Sequence, residues 1–240
     1  MKRMHLDSKT VLHLYHGSKS GIIGNVAPIS RSNCDFGKAF YMGDSEKQAF
    51  SFVCFDKYPD RKFYRIDFDI TDLSCITLDF IPWMLAVSYN RGYLDDVKDS
   101  ILVKSLVEYL SGYDVIIGKI ADDNIFKATL RFFEEDALTD YAFYKAFTDL
   151  SYGIQYAAVT EKACSKIKLC EIKLPDYTVI EYKKFRSKTK DDGDHYIDTM
   201  PIEYKRIGRY WVEYFTHNIF DKEFCALPKS FLDFKNGRWF

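Results

Sequence analysis

An α+β fold is predicted for this chain by three observations. Strict alternation from Phe63 to Ile70 puts Tyr64, Ile66, Phe68 and Ile70 on one face and Arg65, Asp67 and Asp69 on the other, the mark of a half-buried strand. Apolar residues at helical spacing from Ile101 to Leu110 mark an amphipathic helix. Strands and helices then alternate irregularly, without the glycine pattern of a Rossmann unit or a P-loop. The chain has 240 residues, which makes one large domain, or one domain with an appendage. With 47% hydrophobic residues, including 20 Phe and 18 Tyr, it carries enough apolar surface for a core, so disorder is excluded.

The elements follow in chain order. Residues 11 to 16, Val-Leu-His-Leu-Tyr-His, read as a short strand stopped by Gly17-Ser18, and a loop with Gly21, Gly24 and Pro28 comes next. Asp35 to Met42 reads as a second strand. Ser45 with Gln48 three residues on forms a capping box before an apolar run to Phe55. Pro82 suits the first turn of a helix reaching about Asn90. Asp114 to Ile120 is nearly all apolar, a buried strand, and helices are expected from Asn124 to Glu134 and from the cap Thr139 to Leu150. A strand over Ile154 to Val159 and a short helix over Glu161 to Ile167 complete a body of residues 1–170. In the extension, 171–240, strands are expected over Glu171 to Leu174 and Tyr177 to Tyr182. The charged run from Lys183 to Asp194 reads as a loop or hinge, and Ile207, Tyr210, Trp211, Tyr214 and Phe215 lie at helical spacing.

Charge and cysteine usage narrow the classes of partner. Lys plus Arg number 34 and Asp plus Glu 35, so no global field steers the chain onto nucleic acid or anionic lipid. No apolar block has signal-peptide or membrane-span length, and no membrane partner is expected. The six cysteines form no C-x-x-C pair, which argues for reduced thiols in the cytoplasm rather than a zinc site or a disulfide framework. His195 beside Asp191, Asp192 and Asp194 lacks the spacing and terminal Glu of a calcium loop, so no metal site is expected. Lys183, Lys184, Arg186, Lys188 and Lys190 form a basic run that either touches a phosphate backbone or is simply solvated.

Four segments place polar or aromatic residues at strand ends: Tyr15-His16-Gly17-Ser18, Phe36-Gly37-Lys38-Ala39-Phe40-Tyr41, Ala121-Asp122-Asp123 and Gly153-Ile154-Gln155-Tyr156. The first two resemble the NAD-binding motifs of the ADP-ribosyltransferase superfamily, on its diphtheria-toxin and poly(ADP-ribose) polymerase side. One Gly of the Gly-Lys-Gly-aliphatic-Tyr segment is replaced by Ala39. Gln155 stands in a strand shaped like the one that carries that superfamily's catalytic Glu. The run from about 11 to 170, with Asn90-Arg91 and Gly112-Tyr113-Asp114-Val115-Ile116-Ile117-Gly118, is also similar to a bacterial family of unknown function grouped with these enzymes.

The resemblance implies a split β-sheet core with an NAD cleft, NAD as co-substrate and a mono-ADP-ribosyltransferase. Its acceptor would be a protein or nucleic acid, in a toxin or defence role that implies a cognate antitoxin. Gly17 would hold the nicotinamide carboxamide, His16 the adenosine ribose and Ser18 that corner of the site. Tyr41 would stack on the nicotinamide ring and Gln48 would lie near the carboxamide. Arg91 either meets the pyrophosphate or pairs with Asp95. Gln155 keeps the hydrogen-bonding shape of the expected Glu but not its charge, which leaves transfer, slow NAD hydrolysis or binding alone open. A substitute carboxylate would come from Asp122, Asp123 or Glu161; as plain structure, these are caps or surface charges. The rival classes are an NAD-binding module without catalysis and a partner-binding protein with a degenerate site. Every version with a working cleft requires residues 16, 41 and 155 to converge.

Overall fold

The computed structural model describes residues 11–150, 152–174, 176–200, 204 and 207–215. Its seven strands are β1 (Val11–Ser18), β2 (Phe40–Gly43), β3 (Lys62–Asp69), β4 (Cys75–Thr77), β5 (Val115–Lys119), β6 (Ile154–Ala158) and β7 (Ile167–Ile172). They form one mixed sheet in the order β4-β5-β6-β2-β1-β3-β7. Only β4 and β5 run parallel; every other neighbouring pair is antiparallel. The helices are α1 (Glu46–Ser51), α2 (Phe80–Asn90), α3 (Ile101–Ser111), α4 (Asp123–Glu134), α5 (Asp140–Asp149), α6 (Glu161–Cys164), α7 (Asp176–Thr199) and α8 (Trp211–Phe215). The α+β architecture is therefore present, and no described helix is long and apolar enough to cross a membrane.

Three apolar layers organise the sheet. On one face, β4-β5-β6-β2 is covered by α2 to α5, where Trp83, Phe126, Phe143 and Phe147 pack ring against ring. On that same face, β1-β3-β7 is covered by α1 and α7 through Phe50, Val53, Phe63 and Tyr182. The opposite face carries a layer running across both wings, from Ile66 and Phe68 to Phe40, Met42 and Val115. The alternation read from Phe63 to Ile70 has its physical cause here, since Tyr64, Ile66, Phe68 and Ile70 all enter this layer.

The two wings meet weakly. β1 and β3 share eight register pairs, whereas β1 and β2 share one, Tyr15 opposite Gly43. Beyond that pair His16, Gly17 and Ser18 have no register partner on β2, which leaves a seam in the middle of the sheet.

Several elements differ from the sequence reading, each for a local reason. Asp35 to Ala39 is turn rather than strand, because Gly37 adopts φ +76 and only Phe40–Gly43 joins the ladder. The three-residue β4 has too few positions to show a period. The helix after Thr160 stops at Cys164, and Ile167 opens β7. The expected strand at 177–182 and loop at 183–194 are one helix, α7: Val179 and Tyr182, three apart, are buried against α1, while Glu181, Lys184, Lys188, Lys190 and Asp191 are exposed and Lys183 pairs with Asp56 at 2.9 Å. The boundary expected at residue 170 falls inside β7, whose pairing with β3 runs on to Ile172. Of the C-terminal helix, Trp211–Phe215 is described, with Tyr214 buried and Trp211 edge-on to Phe133; residues 216–240, with Cys225, lie outside the described residues.

Gly118 shows how tightly the helical layer closes on the sheet. A Cβ there would lie 2.8 Å from both Phe36 Cζ and Trp83 Cδ1. Gly118→Ala is expected to destabilise the fold by about 1–3 kcal/mol, read as a lower urea midpoint at unchanged slope.

Candidate functional site

Three of the four segments singled out in the sequence gather around one residue that carried no assigned role, Asp35. Its carboxylate is buried, and it accepts from Arg91 Nε at 3.0 Å and Nη2 at 2.6 Å, from the Ala121 amide at 3.4 Å and from Gln155 Nε2. Asn90 Nδ2 donates to the Asp35 carbonyl at 3.3 Å. The Tyr41 hydroxyl closes the same turn, accepting from the Phe36 amide and donating to the Gly37 carbonyl, both at 2.8 Å. The signal in the sequence was the Asp35-Phe36-Gly37-Lys38 segment followed by Asn90-Arg91, but nothing in the spacing said that these parts grip one another.

Arg91 pairs with Asp35 and with Asp123, whose Oδ1 lies 3.0 Å away, rather than with Asp95. It also donates to the Ala121 carbonyl at 2.9 Å, and its guanidinium carbon lies 5.1 Å from the Phe126 ring. Asp122 is the N-cap of α4, accepting from the Asn124 and Ile125 amides at 3.0 and 3.3 Å. The carboxylate at Gln155 is thus that of Asp35, not that of Asp122 or Asp123.

Gln155 lies on β6 opposite Gly43 of β2 and Gly118 of β5. Its Nε2 donates to Asp35 and to the Lys119 carbonyl at 3.0 Å, a carbonyl that also accepts from Trp83 Nε1 at 2.8 Å. Both partners can only accept, so the amide orientation is determined: nitrogen inward, with Oε1 left as its remaining acceptor. Tyr41 sits opposite Ala157 on the same face, with a half-buried ring, and burial holds its phenol far above the ordinary range, fully protonated.

His16 is on an adjacent strand but turns to the other face. Its ring lies 4.6 Å from Phe40, and Nδ1 bonds the Tyr41 carbonyl at 2.7 Å across the seam. A carbonyl only accepts, so the proton is on Nδ1 and Nε2 presents a lone pair. Burial lowers the imidazole pKa, which the bond to Tyr41 partly opposes, so the neutral form is favoured. Gly17 faces α1: a Cβ there would meet Val53 Cγ2 at 2.6 Å and the Ala49 carbonyl at 2.8 Å, so helix packing already requires this glycine. Ser18 Oγ donates to the Gly21 carbonyl at 2.9 Å. Gln48 is buried in α1, its backbone N–H donating to the Ser45 hydroxyl at 3.3 Å. The structure therefore brings Tyr41, Gln155 and Arg91 into one network through Asp35. It leaves His16, Gly17 and Ser18 on the far side of the seam.

Two outcomes are expected. Gln155→Glu sets a second carboxylate against Asp35 and removes both donated bonds, so it should cost about 3 kcal/mol or more, while Asp35→Asn/Gln155→Glu recovers part of the loss. Chemical denaturation of the double-mutant cycle should give a coupling of about 1–3 kcal/mol. For His16, the folded pKa lies below its ordinary 6.5, so the unfolded chain binds the proton first. Stability is held above pH 6.5 and declines as pH falls toward the folded pKa; His16→Gln should flatten that limb in urea midpoints taken across the acid range.

No curated protein and no solved structure matches the chain. The model of a family described as a protein of unknown function, DUF3990, matches residues 12–169, which run from β1 into β7 and include His16, Asp35, Tyr41, Arg91 and Gln155. With well over half of its length matched, the chain belongs to the DUF3990 family.

Proposed function

We propose that this protein is a mono-ADP-ribosyltransferase that moves ADP-ribose from NAD to a protein or nucleic-acid acceptor and releases nicotinamide. One observation carries the reading. Three segments far apart in sequence, those of His16, Tyr41 and Gln155, lie on three consecutive strands, β1, β2 and β6, around the seam where the β1–β2 ladder ends.

The residues present suit the parts of NAD as follows. The half-buried Tyr41 ring offers a face to nicotinamide. Past Tyr15 the edge of β1 has no register partner on β2, so main-chain groups there are in reach of a carboxamide. Gln155 Oε1 is an acceptor for a ribose hydroxyl on the Tyr41 face, while neutral His16 presents Nε2 on the opposite face, so that it meets only a ligand that passes through the seam. Arg91 is already held by two carboxylates, so a pyrophosphate role would compete with Asp35 and Asp123. Loss of nicotinamide places positive charge on the ribose, which a neutral amide stabilises less than a carboxylate would. The Asp35 charge nearby is offset by Arg91, so slow turnover is expected.

A second reading, an NAD-binding module without transfer, is favoured by the same network: the Gln155 amide is locked by Asp35 and Lys119, and among the described residues no unpaired carboxylate joins it.

Incubation with labelled NAD and cell extract tests the first reading; labelled macromolecule and free nicotinamide are expected, and neither appearing would overturn it. Calorimetry showing NAD binding without turnover would select the second. Tyr41→Phe keeps the ring and loses two hydrogen bonds, so it should cost about 1–2 kcal/mol of stability with little change in NAD affinity. Tyr41→Ala should weaken NAD binding by about tenfold or more.

A further inference from the structure

The second half of α7 changes character along one stripe. Val179 and Tyr182 are buried, and the Tyr182 hydroxyl donates to Glu46 Oε1 at 2.9 Å. One turn on, where another apolar residue would continue the stripe, stands Arg186. Its guanidinium carbon lies 4.7 Å from the centre of the Phe52 ring and 5.7 Å from that of Phe55. The pattern continues over the loop after α1. Lys57 Nζ lies 5.6 Å from the Phe55 ring and 5.1 Å from Tyr58, and Lys19, just beyond β1, lies 5.0 Å from Tyr58. Three rings and three cations thus alternate from α7 to the end of β1, each inner ring shared by two cations.

The loop is held in place by Arg61, which donates to the carbonyls of Phe55 and Tyr58, both at 3.1 Å. Asp56 pairs with Lys183 at 2.9 Å, and Asp60 is in the same loop. Among the described residues, Lys19, Lys57 and Arg186 have no carboxylate partner. Phe52 is 44% exposed, so one side of its ring is open to solvent. Lys184, Lys188 and Lys190 extend positive charge along α7.

Interleaved cations and rings meet two needs at once, a phosphate backbone and flat bases. An acidic peptide would satisfy the cations and leave the rings without a role. We propose that this surface binds single-stranded nucleic acid, with bases stacked on Phe52, Phe55 and Tyr58 and phosphates met by Lys19, Lys57 and Arg186. The inference does not depend on the NAD reading.

Fluorescence anisotropy of the full chain with a labelled single-stranded oligonucleotide of about twelve nucleotides tests it. Three phosphate contacts predict a slope of about −2 in log affinity against log salt. Lys57→Ala/Arg186→Ala should make that slope shallower by about 1.4. Phe52→Ala should weaken binding about tenfold at an unchanged slope, and Phe52→Leu, which keeps the apolar bulk, should behave likewise with the melting temperature retained. Absence of binding, a slope indifferent to loss of the two cations, or equal affinity for polyglutamate of matching charge would overturn the proposal.

Discussion

A buried ion pair, Asp35 with Arg91, is the constraint on which the central part of this molecule depends. Each side chain keeps only about a tenth of its surface, 10% for Asp35 and 11% for Arg91, so water screens the pair little and each charge must be met by protein groups. Those groups come from everywhere: a turn, the end of α2, the end of β5, the start of α4 and the start of β6. Such an arrangement contributes less to net stability than to uniqueness. Any register shift in β6 or rotation of α2 would strand a charge, so competing packings are excluded at high cost. The apolar layer of Trp83, Phe126 and Phe147 supplies the bulk of the stabilisation but would tolerate small slips that the polar cluster does not.

The glutamine at position 155 acquires its meaning from that cluster. An amide in the open can turn either side outward. Here two acceptors hold its nitrogen, so the residue is a fixed carbonyl acceptor backed by a neutralised carboxylate. Whatever approaches it meets a weak dipole of known direction, not a titrating group.

Much of the fold was legible in the sequence because each long element carries one period. The helices at 101–111 and 123–134 bury one face, the strand at 62–69 alternates from Tyr64 onward, and the caps Ser45 and Thr139 bond the amides their positions suggested. What was not legible has common causes. β4 is shorter than any detectable period. In α7, local charge and a glycine masked a helix whose two anchoring residues, Val179 and Tyr182, only make sense once α1 lies beneath them. At the site, the residue types at positions 16, 41 and 155 were readable, and so was their nearness. The face each would occupy was not, because that is set by the pleat and by the one pair joining β1 to β2. Asp35 was hidden for a related reason: a single carboxylate in a turn becomes a hub only when three distant segments fold onto it.

The short ladder between β1 and β2 also has a mechanical side. A sheet is held across each boundary by a row of rungs; with one rung between β1 and β2, the two wings are joined chiefly by side chains. The imidazole tie from His16 to Tyr41 and the shared layer of Phe40, Met42, Ile66 and Phe68 do there what backbone pairing does elsewhere in the sheet.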